Sequence, residues 1–215
     1  TEAINDADTT TINILGGNSL STMALGTAGA PAIGIANGTQ AAGLVTLNAS
    51  AFNGDFTAMF GLNVIDTNLT ISGGAGADNI HGTFSAAKVI KMSGVERFHV
   101  ESTTAGGVDL GDVTGLARVY VDDNNTAATT TLTDLVTGVD VLMTTGAAST
   151  LVVDMKDKAL LDNTLNLELT AVITSANIDI EDVEILNLDQ EVAASVDLAG
   201  LAMTTAGKYS TLNVT

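Results

Sequence analysis

From residue 43 onward the chain repeats a short phrase in which apolar and polar positions alternate behind an anchor residue. Gly43-Leu44-Val45-Thr46-Leu47, Gly61-Leu62-Asn63-Val64-Ile65, Gly94-Val95-Glu96-Arg97-Phe98, Gly115-Leu116-Ala117-Arg118-Val119, Gly138-Val139-Asp140-Val141-Leu142 and Asp182-Val183-Glu184-Ile185-Leu186 align without gaps. The residue after the anchor is Leu or Val, and the fourth after it is large and apolar. In three copies the sixth is apolar too, namely Val100, Val121 and Leu188. Alternation with a period of two marks a half-buried strand. The switch of apolar parity from offset one to offset four puts a corner just behind the anchor. A looser copy runs from Gly207 through Leu212 and Val214.

Successive anchors are 18, 33, 21, 23, 44 and 25 residues apart. The longest interval is twice 22, which places a further copy at Leu165-Asn166-Leu167-Glu168-Leu169. Second strands show as Val108-Asp109-Leu110, Leu151-Val152-Val153 and Val196-Asp197-Leu198. No run of ten or more residues carries the 3.6-residue periodicity of a helix. A period near 22 with variable insertions predicts an all-β fold, a parallel β-solenoid (β-helix or β-roll) with coils of about 22 residues and inserted loops. Each coil would bury its apolar side chains only by stacking on its neighbours. At roughly 4.8 Å per stacked strand, about eight to ten coils give a rod on the order of 40 to 50 Å long. A leucine-rich-repeat horseshoe is a rival, since Leu116, Val119, Val121 and Asn124 match its spacing. Its asparagine ladder would have to pass through Thr103 and Glu191.

Residues 1–42 read as an opening strand and loop region of the same domain, followed by the solenoid repeats of 43–215. An acidic lead from Glu2 to Asp8 precedes a strand at Thr11-Ile12-Asn13-Ile14-Leu15 and a turn at Gly16-Gly17-Asn18. The small, glycine-rich stretch beyond it is either a loop or a weak helix around Leu20, Met23 and Leu25. The whole is expected to be one elongated domain of a larger protein, since the chain begins without Met.

Composition narrows the picture. Hydrophobic residues make up 46% of the 215, yet aromatics only 3% with no Trp, so the core is built from small aliphatic side chains. Seven Lys and Arg against 25 Asp and Glu give a net charge of −18, which argues against nucleic-acid binding and favours cations. The absence of Cys removes disulfides, thiolate nucleophiles and cysteine zinc sites. No stretch approaches the roughly 20 apolar residues of a membrane span, and no signal peptide opens the chain.

The strongest motif is Gly73-Gly74-Ala75-Gly76-Ala77-Asp78-Asn79-Ile80-His81, one intact copy of G-G-x-G-x-D-x-U-x, where U is large and apolar. It follows the alternating stretch Leu69-Thr70-Ile71-Ser72, as a turn at a strand end should. The three glycines permit positive φ with carbonyl oxygens aimed inward, Asp78 supplies a hard carboxylate, and Ile80 plugs the interior. This nonapeptide resembles the calcium-binding unit of RTX proteins. The copies Gly94-Val95-Glu96-Arg97-Phe98-His99-Val100 and Asp182-Val183-Glu184-Ile185-Leu186-Asn187-Leu188 are similar to the G-[IV]-E-x-L-x-[VL] coils of bacterial surface-layer proteins that carry RTX repeats. The resemblance implies a secreted, non-enzymatic lattice protein, exported by a type I route. It further implies self-assembly with calcium on a cell surface, with glycan or lipopolysaccharide as further partners. The alternative in the same setting is a calcium-dependent adhesin or biofilm-matrix module that binds glycan.

One nonapeptide supplies only part of the six to eight oxygens calcium takes. Beside Gly73, Gly74, Gly76 and Asp78, the candidate ligands are Asp55 in Asn53-Gly54-Asp55, Asp109 in Gly106-Gly107-Val108-Asp109, and Asp122 and Asp123 where a strand gives way to a polar loop. Catalytic constellations are lacking. His81 and His99 fall in different coils and read as ordinary strand residues. Arg97 and Arg118, 21 residues apart, are expected one above the other and neutralised by acids such as Glu96 or Asp122. A polysaccharide lyase, which such an arrangement of calcium and a basic residue resembles, is the enzymatic alternative.

Overall fold

The computed structural model describes residues 11–15, 21–25, 46–60, 69–84, 87–102, 105–122, 129–144, 150–160, 162–170, 177–190, 201–203 and 211–215. The alternating phrases become strands with one dry face and one wet face, and they sort into two sheets. One sheet holds β1 (Thr11–Asn13), β3 (Thr46–Asn48), β5 (Thr70–Ser72), β7 (Ala87–Ser93), β9 (Ala105–Thr114), β11 (Thr129–Leu135), β13 (Thr150–Met155), β15 (Asn177–Glu181) and β17 (Leu201–Met203). The other holds β2 (Ser21–Leu25), β4 (Phe56–Phe60), β6 (Asn79–Phe84), β8 (Arg97–Ser102), β10 (Arg118–Val121), β12 (Asp140–Met143), β14 (Thr164–Leu169), β16 (Ile185–Gln190) and β18 (Thr211–Val214). Neighbours within each sheet run parallel, and the chain alternates between the sheets strand by strand. This is a parallel β-solenoid, and among the described residues its coils have two strands each.

Inward-facing side chains form continuous columns because the pairing register preserves the two-residue pleat. Ile80, Phe98, Val119, Val141, Leu167 and Leu188 are register neighbours in turn, and each is buried. On the facing sheet Val108, Leu132, Val153 and Ile180 do the same. All belong to one hydrophobic cluster between the sheets. Each fully buried Val, Leu, Ile or Phe contributes about 1.5–3 kcal/mol by leaving water. A single coil, with one strand in each sheet, lacks the neighbours above and below that complete this burial, so each coil depends on those stacked against it.

The anchors are corners between the sheets. Gly94, Gly115 and Gly138 have φ of 60°, 85° and 86°, and Asp182 takes the same left-handed turn at 59°. Asp is among the few residues with a side chain that enter this region readily, which explains why it can stand where other copies have Gly. The copies are not all equivalent, however. The strand after Gly43 is β3, in the sheet opposite to the strands after Gly94, Gly115 and Gly138, and Gly43 and Gly61 lie outside the described residues. In the Gly138 copy Val141 rather than Leu142 stands opposite Val119, a one-residue slip in the phrase. The copy inferred at 165–169 is β14, with Leu165, Leu167 and Leu169 buried.

The opening region supplies β1 and β2, so the stretch that reads as loop or weak helix around Met23 is a strand, paired with β4. Five residues are too few to show a helical period, and pairing decides. The second-strand expectation at Val196-Asp197-Leu198 falls outside the described residues.

Candidate functional site

The nonapeptide forms the corner between β5 and β6. Ser72 pairs with Ser93 and Ser93 with Thr114, so Gly73 occupies the place of the anchors Gly94 and Gly115. Only one of its three glycines turns with positive φ, Gly76 at 129°. The other two are required for closeness. A Cβ on Gly73 would lie 1.7 Å from the Gly94 carbonyl oxygen, and one on Gly74 would lie 2.1 Å from the Phe52 carbonyl oxygen. Three stacked corners meet here at distances only bare backbone allows.

Carboxylates stitch those corners together. Asp78 is fully buried; its Oδ1 accepts the Phe56 N–H at 2.9 Å and its Oδ2 the Gly74 N–H at 2.6 Å. Asp55 accepts the Ala77 N–H at 2.8 Å, and Glu96 accepts the Asp78 N–H at 2.7 Å. The same device recurs where Glu184 takes the Asn163 N–H at 3.0 Å. The acid of the G-V-E phrase therefore accepts a backbone amide of the preceding coil, a donor the two sheet ladders leave over. Burial pushes the Asp78 carboxyl above its ordinary value; amide bonds from Gly74 and Phe56 pull it back, and the charges of Glu96 and Asp55 push it further up. Among the described residues no Lys, Arg or His forms an ion pair with Asp55, Asp78 or Glu96.

Of the remaining expected ligands, Asp109 lies on β9 of the sheet that contains β5, where its Oδ1 accepts the Gly111 N–H at 2.8 Å. Asp122 follows β10 and belongs to a different group on the outer face of the other sheet. Asp123 falls outside the described residues. The structure thus brings Asp55, Asp78, Gly73, Gly74 and Gly76 together and separates Asp109 and Asp122 from them.

On that outer face the two histidines are register neighbours, and Tyr120 continues their column. The His81 and His99 rings stack at 3.9 Å and 14°, and the His99 and Tyr120 rings at 4.1 Å and 1°. His99 Nδ1 is hydrogen-bonded to Asp122 Oδ2, while Thr144 Oγ1 donates to Asp122 Oδ1 at 2.6 Å. Burial and then the neighbouring His99 lower His81 to about 4. Burial raises the Asp122 carboxyl, but the bonds from His99 and Thr144 outweigh it, and the net value is low.

No family model, curated protein or solved structure matches this chain.

Beside the ring column runs a polar ladder. Arg97 and Arg118 are register neighbours as expected, but Arg118 is paired with Asp140 at 3.3 Å and Glu168 at 3.4 Å, not with Glu96 or Asp122. Asn166 donates to Asp140 at 2.8 Å, Asn187 to Asn166 at 2.7 Å, and Asn213 to Asn187 at 2.7 Å. These residues line a groove of about 360 Å³. The ring column goes unseen in the linear sequence because His81 belongs to the nonapeptide, which the repeat phrase does not align. Setting Asp78 against Glu96 supplies the missing signal: His81 and His99 then share the third place after a corner acid.

Proposed function

We propose that the chain is a structural, calcium-linked β-solenoid of a secreted surface layer, a tile that assembles with copies of itself on a cell surface. The observation that carries this reading is the acidic corner, where Asp55, Asp78 and Glu96 converge and, among the described residues, have no cationic side chain as partner. Asp78 has one backbone amide on each oxygen, so it shapes the turn and adds charge. Asp55 and Glu96 each commit one oxygen to an amide, and among the described residues the second oxygen of each accepts no hydrogen bond and is available to an ion. An oxygen-only, negatively charged corner suits a hard cation such as calcium, with water completing the shell. Calcium would relieve repulsion within the corner and, at a net charge of −18, between neighbouring molecules.

Isothermal titration tests the corner, and electron microscopy with calcium or chelator tests assembly. Wild type should bind calcium and form sheets; the double variant Asp55→Asn, Glu96→Gln should bind markedly less. An absence of binding at millimolar calcium would remove the calcium reading, and dispersed particles under all conditions would remove the lattice. The groove along Arg118, Asp140, Asn166 and Asn187 supports a second reading, a calcium-dependent adhesin whose amide-lined face holds glycan. That protein would stay monomeric with calcium and bind oligosaccharide, and Asn187→Ala would weaken the binding.

A further inference from the structure

We propose that His81, His99 and Asp122 form a binding site for a divalent transition-metal ion, independent of the all-oxygen corner assigned to calcium. Their donor atoms lie within 4.8 Å of one another, and all three residues are half-buried, reachable by solvent but shielded from it. The fold creates this closeness, since parallel pairing puts His81 and His99 on adjacent strands at one register position and Asp122 directly follows the next strand.

Two imidazole nitrogens and one carboxylate oxygen form a donor set that borderline cations such as Zn2+, Co2+ or Ni2+ prefer over calcium. Three protein ligands leave an open position for water, as zinc commonly keeps. The rings are stacked nearly parallel, so closure of both on one ion at about 2.0–2.1 Å requires the His81 ring to turn about χ2. That terminal torsion is broad and soft. A supporting shell is in place. Thr144 Oγ1 donates to the second oxygen of Asp122 at 2.6 Å, and the Asn79 amide stands 3.1 Å from His81 Nε2. Asn79 Oδ1 is buried with no hydrogen-bond partner among the described residues; with the amide turned over it accepts the Nε2–H of a His81 that ligates through Nδ1. Such partners orient metal ligands. The ion would join three successive coils of one sheet.

The chain has only two histidines, so an imidazole signal is unambiguous. The test uses the whole chain after chelator treatment, with Zn2+ in calorimetry and Co2+ as a spectroscopic probe. One ion per chain should bind, Co2+ should produce visible ligand-field bands, and the side-chain 15N resonances of His81 and His99 should broaden together. His81→Gln and His99→Gln should each weaken Zn2+ binding by roughly tenfold or more, and Asp122→Asn should weaken it as well. Circular dichroism establishes that each variant is folded, and the broadening in wild type needs no variant. The corner variant Asp55→Asn, Glu96→Gln should bind Zn2+ as wild type does. Absence of binding at millimolar Zn2+, unbroadened imidazoles, or undiminished binding in the histidine variants, which would mark diffuse attraction to an acidic surface, would each overturn the proposal.

Discussion

Replacing Asp78 by Ala separates the structural work of the corner from any work an ion does there. The substitution strips the acceptor from the Phe56 N–H, bonded at 2.9 Å, and from the Gly74 N–H, bonded at 2.6 Å. The buried Phe56 amide costs about 1–3 kcal/mol without a partner, and the part-buried Gly74 amide costs less. Against this, the variant no longer confines a desolvated carboxylate beside Glu96 and Asp55, the strain that raises its pKa. The balance is a loss of about 1–4 kcal/mol. In a solenoid stability is a sum over coils and their interfaces, so the damage should be confined to the contact between β4 and β6. Native-state hydrogen exchange reads it there. In chelator, protection of the Phe56 and Gly74 amides should fall in Asp78→Ala, while that of Val119 and Val141 should hold. If both amides exchange as in wild type and the urea midpoint is unchanged, the carboxylate does not hold the corner and the account of the G-V-E acid fails with it.

Gly73→Ala should cost about 1–3 kcal/mol or more, because its Cβ would lie 1.7 Å from the Gly94 carbonyl oxygen, whereas Gly138→Ala meets nothing within 4 Å among the described residues and should lose only the roughly 1–2 kcal/mol of its left-handed turn; urea denaturation ranks the two. Asn187→Ala interrupts the amide ladder between Asn166 and Asn213 and should cost about 0.5–1.5 kcal/mol, seen as faster exchange in β16. His81, held at about 4 against an ordinary 6.5, makes the metal-free fold acid-labile. Its contribution is fully present above 6.5 and declines as pH falls toward 4, a slope that His81→Gln should remove from a stability profile. Asp122, with a lowered pKa, adds stability above 3.8 that is lost as pH falls through its folded value. Asp78, with a raised one, acts in the opposite sense, favouring the fold below 3.8 and ceasing to as pH rises through its folded value.

The coil architecture was legible because its signal is repeated. Leu or Val after an anchor, and apolar residues at alternating places behind it, predict corner and strand wherever the copies are complete, and β8, β10 and β16 follow that reading. What one copy cannot carry was less legible. The strand at Ser21–Leu25 is defined by its pairing with β4 and not by any period of its own. The slip at Val141 follows from a corner one residue shorter, which only register reveals. At the site, the glycine spacing predicts torsion, whereas two of the three glycines serve close stacking, and it does not show that each Asp78 oxygen accepts a backbone amide. A motif names residue types at a spacing; it does not say which backbone donors the neighbouring coil will bring. The histidine column stayed hidden for the same reason, since proximity across coils is created by stacking.

The central claim is that successive coils lie in parallel register, and the scarcity of rings gives it a direct test. Nuclear Overhauser contacts should link the His81 ring to the His99 ring and the His99 ring to the Tyr120 ring, at the 3.9 Å and 4.1 Å spacings of the column, and should be missing between His81 and Tyr120. A direct contact between His81 and Tyr120, or no contact from either to His99, would contradict the stacked parallel solenoid.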